Sequence, residues 1–216
     1  MRLLALGALL LAGSAFSAPH HQPAEQVILA PGYAELTFQA PEPGSYRLPP
    51  LGKAGDGVVL TSRGKTSSLD ALTGDKFVLL SFIYTSCNDV NGCPLASYVL
   101  NKVQGRLQQD EVLRDYVRLI SLSFDRLNDS PDRLEKYAAN FRDPDFDWQF
   151  LTTPSDRDLA QILEAYNQFV IPDVNEAGER IGTLSHILRV YLIDQNRAIR
   201  NIYSVSFLHP DIIIND

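Results

Sequence analysis

The chain of 216 residues contains only two cysteines and lacks any cluster of lysine or arginine. Its net charge of −7, together with the missing basic cluster, argues against a nucleic-acid partner. No internal repeat, low-complexity tract or second domain can be recognised. With 45% hydrophobic and 21% charged residues, the composition is that of an ordinary soluble globular protein. The sequence therefore predicts one domain that is large enough to bury a core.

The apolar run at the N-terminus, residues 3–12, is too short for a comfortable transmembrane helix. Arg2 precedes it and small residues follow it, which is the pattern of an export signal cleaved after Ser17. No cysteine lies near the cleavage region, and this excludes bacterial lipidation. We expect residues 1–17 to be a signal peptide and the mature protein to start at Ala18, soluble in the periplasm. An uncleaved signal would instead anchor the chain to the membrane.

Both cysteines lie between an apolar run and a segment that looks like a helix. Cys87 and Cys93 follow Phe77–Ile83, and Pro94 opens the helical pattern. A helix N-terminus lowers the pKa of a thiol, and thiolates are both nucleophiles in disulfide exchange and soft ligands for Cu(I). In an oxidising compartment the pair could also form a purely structural disulfide. That bridge would close a very small loop and stabilise by less than the ~3 kcal/mol expected for about 15 residues.

Strands alternate with helices along most of the chain. Strands are predicted at residues 58–60, 77–84, 117–124, 148–151, 186–194 and 198–205, and helices at 68–76, 94–113, from 131, at 155–166 and from 209. Alternating elements that end in a hairpin fit a thioredoxin-like α/β sandwich, in which helices flank a central mixed sheet with an N-terminal strand or hairpin extension. We expect this domain to span residues 46–216. Residues 18–45 are expected to form a flexible lead with one candidate strand at 33–38.

Four segments resemble, in the same order, the Sco/SenC family of copper-handling proteins, which adopt a thioredoxin fold. They are FIYTSCNDVNGCP (82–94), SLSFDRLNDSP (121–131), WQFLT (148–152) and SHILRVYLID (185–194). The resemblance covers roughly residues 55 to 210 and implies that Cys87, Cys93 and His186 bind copper, as Cu(I) or Cu(II). It further implies a metallochaperone that helps to assemble the copper centre of a respiratory cytochrome oxidase. Its partner would be a copper-receiving protein such as an oxidase subunit.

The cysteine motif departs from the family pattern in one respect. The family has three residues between the cysteines, with proline after the first, whereas this chain has five and carries Asn88 in place of that proline. The two additional residues are Asn91 and Gly92, a pair suited to a tight turn with positive φ angles. Such a turn either keeps both sulfurs on one side of the loop or separates them.

Other residues near the motif have more than one interpretation. Asp125 matches an acidic position near the copper site of the family, where it would orient His186 or a thiol; otherwise it caps a turn. Asp89 matches a family position too, but aspartate is common in turns for its own sake. A zinc site is a weaker interpretation, because a closed site needs four ligands and only His209 is left as the fourth. His20 and His21 are interpreted as part of a solvated tail.

A second function also fits the cysteine pair, that of a thiol–disulfide oxidoreductase. Cys87 or Cys93 would attack a partner's disulfide, and the other would resolve the mixed disulfide. The five-residue spacing differs from the Cys-X-X-Cys motif of dedicated oxidoreductases. For this reason the sequence favours the metallochaperone.

Overall fold

The computed structural model describes residues 30, 32–74 and 76–216. Its strands are β1 (Gly52–Lys53), β2 (Val58–Thr61), β3 (Thr66–Ser68), β4 (Phe77–Ile83), β5 (Val117–Ser123), β6 (Trp148–Thr152), β7 (Val170–Val174), β8 (Arg180–His186), β9 (Val190–Ile193) and β10 (Ala198–Tyr203). Its helices are α1 (Leu69–Thr73), α2 (Cys93–Leu107), α3 (Leu113–Tyr116), α4 (Pro131–Ala138), α5 (Asp156–Ala165) and α6 (Pro210–Asn215), with a 3₁₀ turn at Val205–Phe207.

Eight of these strands form one mixed sheet in the order β1-β10-β9-β4-β5-β6-β2-β3. β4, β5 and β6 run parallel, and β9 pairs antiparallel with β4 on the other side. The antiparallel hairpin β2–β3 extends the sheet at one edge, and β1 closes the other. The predicted thioredoxin-like α/β sandwich, including its N-terminal hairpin, is therefore confirmed.

The central strand β4 is covered on both faces. Every residue of it after Phe77 is buried, as expected for a continuous apolar run in the middle of a helix-flanked sheet. Pro94 stands in the first turn of α2, where its missing N–H is not needed. The predictions of a central strand here and of a helix that starts at the second cysteine are both confirmed, and they place the cysteines at the carboxyl end of β4.

Serine side chains cap two of the helices. The side chains of Ser130 and Ser155 accept the backbone N–H groups of Arg133 and Asp158, respectively, at the N-termini of α4 and α5. Each bond satisfies a backbone donor that the first helical turn leaves unpaired. The helix from Pro131 is thereby fixed next to the end of β5, on the same side of the sheet as the cysteines.

Three local predictions were wrong. Residues 33–38 contain no strand. The helix predicted over 94–113 ends at Leu107, because the carboxylate of Asp110 accepts the N–H groups of Val112 and Leu113 and starts the separate helix α3. The strand predicted over 186–194 is in fact two strands, since β8 pairs with β7 in a separate two-stranded sheet and only β9 joins the main sheet.

Among the described residues, no helix combines the length and the apolarity that crossing a membrane requires. The predicted signal peptide at residues 1–17, its cleavage site, and the histidines His20 and His21 lie outside the described residues.

Candidate copper and thiol site

The two cysteines occupy different environments at the carboxyl end of β4. Cys93 is the first residue of α2 and is fully buried, whereas Cys87 lies in the preceding loop and is half-buried. Both are free thiols. Tyr84, which follows β4, binds both: its N–H donates to Cys93 Sγ at 3.4 Å, and its carbonyl accepts the Cys87 N–H at 3.2 Å. Both ends of the cysteine loop are therefore hydrogen-bonded to the backbone of Tyr84.

The additional pair, Asn91 and Gly92, forms a tight turn around Asp89. The Asp89 carboxylate accepts the Asn91 N–H at 3.0 Å, and the Asp89 carbonyl accepts the Gly92 N–H at 2.9 Å. The expectation of positive φ angles is wrong, since Gly92 has φ −101° and Asn91 is not among the residues with positive φ. The turn places Gly92 as the N-cap of α2, so the insertion is absorbed before the helix begins.

The N-terminal segment lies against this turn. A Cβ atom on Gly32 would stand 2.3 Å from the Val90 carbonyl oxygen and 2.5 Å from Asn91 Oδ1, so only glycine allows the approach. The next residue, Tyr33, packs edge-on against Tyr98 of α2 at a ring distance of 4.9 Å. The segment that begins at Gly32 therefore covers one side of the cysteine loop.

His186 comes from the separate hairpin β7–β8, of which it is the last residue. Its Nε2 lies 3.8 Å from Cys93 Sγ. The ring packs against Phe124 at a centroid distance of 4.7 Å and against Tyr84 at 6.2 Å. Burial lowers the pKa of the imidazole below its usual value, and a hydrogen bond to the backbone of Leu184 opposes this shift. At neutral pH the ring is therefore uncharged, the form that binds metals.

The pKa values of the two thiols move in opposite directions. The pKa of Cys87 falls to about 6, first because the Cys93 side chain hydrogen-bonds to its sulfur and then because backbone N–H groups of Cys93 and Asp89 do so. Burial raises the pKa of Cys93 well above its usual value, and the adjacent Cys87 adds to the rise. Cys87 is thus the thiolate at neutral pH, and Cys93 remains a thiol until a ligand replaces its proton.

The residues brought together fit a soft metal ion, although no three His, Cys, Asp or Glu side chains among the described residues form a ready-made metal group. The 3.8 Å from Cys93 Sγ to His186 Nε2 is shorter than the sum of typical zinc bonds to sulfur and imidazole, roughly 2.3 and 2.0 Å. Both atoms could therefore reach one ion. Two sulfurs suit Cu(I), and the imidazole also suits Cu(II).

Asp125 is engaged within its own turn. Both of its carboxylate oxygens accept the side-chain amide of Asn128, at 2.9 and 2.8 Å, and its carbonyl accepts the Asn128 and Asp129 N–H groups. From this turn it is the neighbouring Phe124 that packs on the ring of His186. Orientation of His186 or of a thiol by Asp125 stays a prediction.

A buried carboxylate that the sequence analysis did not single out, Asp129, supports the cysteine loop. It is fully buried and accepts the Thr85 N–H at 2.9 Å, the Thr85 hydroxyl at 2.5 Å and the Ser123 hydroxyl at 2.6 Å. Arg133 Nε lies 3.5 Å from it and donates to the Thr85 hydroxyl. Asp129 therefore fixes the chain two residues before Cys87. The sequence signals were its place directly before Ser130 and its position in the segment at 121–131 that resembles the Sco/SenC family.

His209, considered as a fourth zinc ligand, has other partners. Its Nδ1 accepts the Asp211 N–H as the N-cap of α6, and its Nε2 hydrogen-bonds to the Tyr33 hydroxyl at 2.8 Å. With both ring nitrogens engaged, the residue has a structural role in this arrangement.

Comparison with known protein families agrees with the fold. A family model described as SCO1/SenC matches residues 56–216, well over half of the chain. The chain belongs to the SCO1/SenC family. The SCO1 protein homolog of Bacillus subtilis (strain 168) is 33% identical over 108 residues, which are 50% of this chain and 53% of that protein. The chain thus spans about half the length of this curated relative.

Solved structures of Sco proteins share the fold. Bradyrhizobium japonicum ScoI, solved with copper bound, has a TM-score of 0.61 and 22% identity, with 76% of this chain and 97% of that chain covered. BsSco, described as having a disulfide switch and as a member of the Sco family of cytochrome c oxidase assembly proteins, has a TM-score of 0.59 and 25% identity. There, 77% of this chain and 92% of that chain are covered.

Proposed function

We propose that this SCO1/SenC protein is an exported copper metallochaperone that binds copper through Cys87, Cys93 and His186. The observation that carries the proposal is the 3.8 Å distance from the buried Cys93 Sγ to His186 Nε2, with Cys87 in the adjacent loop. Two sulfurs and one nitrogen would hold the ion with only three protein ligands. The sulfurs suit Cu(I), and the imidazole also suits Cu(II). Copper is then a cargo that the protein accepts and releases.

The receiving protein in this proposal is a copper-binding subunit of a respiratory cytochrome oxidase. Family membership supports it, as does the description of BsSco as belonging to a family of oxidase assembly proteins. Release would begin at Cys87, because it is half-buried and ionised, whereas Cys93 is fully enclosed. A cysteine pair on the receiving protein could therefore approach the ion from the side of Cys87.

Export is part of the same proposal. The short apolar run at residues 3–12 behind Arg2, followed by small residues, supports a signal peptide over 1–17 and a mature chain that starts at Ala18. We assign the mature protein to the periplasm, with residues 46–216 as its folded domain. Intact-mass analysis of protein recovered from the periplasm tests this: retention of residues 1–17 would indicate a membrane anchor.

The second candidate function, thiol–disulfide exchange, is favoured by the opposite pKa shifts of the cysteines. A half-buried thiolate with a pKa of about 6 is a good attacking group, and a buried partner thiol can resolve the mixed disulfide. In that reaction the Cys87 thiolate attacks a disulfide sulfur of the partner and one partner thiolate leaves. Cys93 then gives its proton to that departed thiolate, attacks Cys87 Sγ and releases the second partner thiolate, so the partner is reduced and the pair is oxidised.

One experiment separates the two functions. The reduced mature protein is titrated with Cu(I) and with Cu(II), and free thiols are counted before and after. A metallochaperone takes up one copper per chain and both thiols become unavailable to the thiol reagent. If no copper is bound while a disulfide substrate is reduced rapidly, the oxidoreductase function replaces the proposal.

A further inference from the structure

Tyr84 contacts both cysteines and the histidine of the candidate site. It follows β4 directly and is only 3% exposed. Its backbone binds both cysteines, as described above, and its side chain extends to the other sheet. There the hydroxyl accepts the backbone N–H of Leu184 in β8 at 3.5 Å, and the ring lies edge-on to that of His186. Tyr84 thus contacts both the cysteine loop and the strand that carries His186.

The contact with Leu184 falls at a weak point of the hairpin. Leu184 pairs with Pro172 of β7, and its N–H donates to the Tyr84 hydroxyl, outside the hairpin. The ladder then changes register between Pro172 and Val174. A two-stranded hairpin is marginally stable by itself, so the strand that carries His186 needs a partner outside the hairpin at this level.

The hydroxyl of Tyr84 is suited to be that partner. A buried tyrosine hydroxyl normally has a hydrogen-bond partner. Here the hydroxyl accepts the peptide N–H two residues before His186 and also hydrogen-bonds to the side chain of Cys87. The backbone of Leu184 is also the group to which the His186 ring hydrogen-bonds. The positions of the tyrosine hydroxyl, the Leu184 backbone and the imidazole are therefore linked.

We propose that Tyr84 is a positioning residue whose hydroxyl holds β8 at Leu184 and thereby places the His186 ring against Cys93. Its effect on copper rests on the proposed function, whereas its hold on the strand does not. Phenylalanine at position 84 would keep the ring packing against Phe124 and His186 but lose the hydroxyl. The imidazole would then be held less firmly, although the backbone hydrogen bonds of residue 84 to both cysteines would remain.

The first test uses the metal-free protein. In Tyr84→Phe, we expect hydrogen exchange of the Leu184 amide, measured by NMR, to be about tenfold faster because its acceptor is gone. Tyr116→Phe is the matched control, since Tyr116 is 53% exposed and lies outside the site. Equal exchange at Leu184 in the parent and in Tyr84→Phe would overturn the proposal.

The second test measures copper in the same variants. In Tyr84→Phe, Cu(II) should dissociate about tenfold faster, the lower end of the loss usual when a group that orients a ligand is removed. The nitrogen splitting from the imidazole in the EPR spectrum should change. Because Tyr84 acts through His186, adding Tyr84→Phe to His186→Ala should cause no further acceleration.

The outcomes keep this proposal apart from the proposed function. A tenfold acceleration that persists in the His186→Ala background would overturn the positioning role, because the hydroxyl would then act on copper by another route. Faster Leu184 exchange in a protein that binds no copper would support the hold of Tyr84 on β8 and refute the metallochaperone function.

Discussion

The cysteines and the histidine of the candidate site stand on parts of the fold that are held in different ways. The cysteine loop joins β4, which is hydrogen-bonded to a strand on each side, to α2, whose first turn is buried. The hairpin β7–β8 forms its own two-stranded sheet and exposes large apolar side chains, among them Ile171, Val174 and Ile181. The two thiols are therefore fixed by the core, whereas the imidazole depends on a few contacts with Cys93, Tyr84 and Phe124.

This difference matches what a change of copper oxidation state demands. Cu(I) is well served by two thiolates, whereas Cu(II) gains from an imidazole. In the proposed copper site, a pair of sulfurs fixed by the core would be combined with an imidazole on a separate hairpin, so that His186 could bind or release the ion without repacking the core. The contrast between the two regions leads to four predictions, in order of decreasing effect.

The largest effect on copper affinity is expected from substitutions of the two cysteines. Cys87→Ala and Cys93→Ala should each lower the affinity for Cu(I) by more than about 100-fold, which exceeds the loss caused by removing groups around the ligands. A competition titration with a chromophoric chelator measures this. Ser86→Ala, an exposed neighbour, is the control and should bind as the parent does. If both cysteine variants bind like the parent, the copper site is elsewhere.

The second prediction concerns what fixes the cysteine loop. Asp129→Ala should lower the free energy of unfolding by about 3 kcal/mol, because it leaves the Thr85 N–H and the Ser123 hydroxyl buried without their acceptor. Urea unfolding measures the change. Asp115→Ala, with a side chain that is 72% exposed, should change stability by less than about 0.5 kcal/mol. Equal effects of the two variants would contradict the supporting role of Asp129.

The third prediction concerns the hairpin. His186→Ala should lower the affinity for Cu(II) more than about tenfold while leaving the Cu(I) affinity nearly unchanged, because imidazole matters most for the oxidised ion. Absorption and EPR spectra of the Cu(II) form report the lost nitrogen. Ile187→Ala changes an adjacent side chain that is 59% exposed and should leave both affinities as they are. An equal loss of affinity for Cu(I) and Cu(II) would show that the histidine does not act mainly on the oxidised ion.

The smallest effect is a pH dependence of Cys87 alone. Its pKa of about 6 lies below the usual value of 9.0, so the reactive thiolate is lost only as the pH falls through 6. Alkylation of the reduced protein, followed by mass spectrometry, should therefore accelerate about tenfold between pH 5 and 7 and then level off. Cys93 should react far more slowly, since it is fully buried.

A variant checks the cause of this shift. In Cys93→Ala the main group that lowers the pKa of Cys87 is gone, so the midpoint should move upward towards 9.0. A midpoint that stays near 6 would assign the shift to the backbone N–H groups and the Tyr84 hydroxyl instead.

The sequence could predict the cysteine region because its signals are local. The apolar run of β4 and the proline after Cys93 mark a strand and a helix start within about twenty residues, and Ser130 marks the start of α4 in the same way. The hairpin was missed because its signals conflict. Ile187 and Leu188 continue the apolar pattern from His186 to β9, yet Ile187 is exposed and the chain changes sheets at this point.

The contacts within the site could be predicted only in part. The resemblance indicated Cys87, Cys93 and His186, but the hydrogen bond between Tyr84 and Leu184 joins residues a hundred positions apart, one just after β4 and the other in the separate hairpin. Asp129 is similar, because an aspartate before a helix cap is common, and only the fold shows that it is buried beneath Thr85. Polar contacts between residues far apart in the chain produce no periodic pattern in the sequence.

The close approach of Gly32 to the cysteine loop has an evolutionary consequence. Any side chain at position 32 would collide with Val90 and Asn91, so the added turn and the glycine fit each other although 59 positions separate Gly32 from Asn91. A descendant that shortened the loop to the family's usual length would free position 32 to accept larger residues. Among homologues, we expect glycine at the position of Gly32 wherever five residues separate the cysteines. Other residues should occur there where only three do.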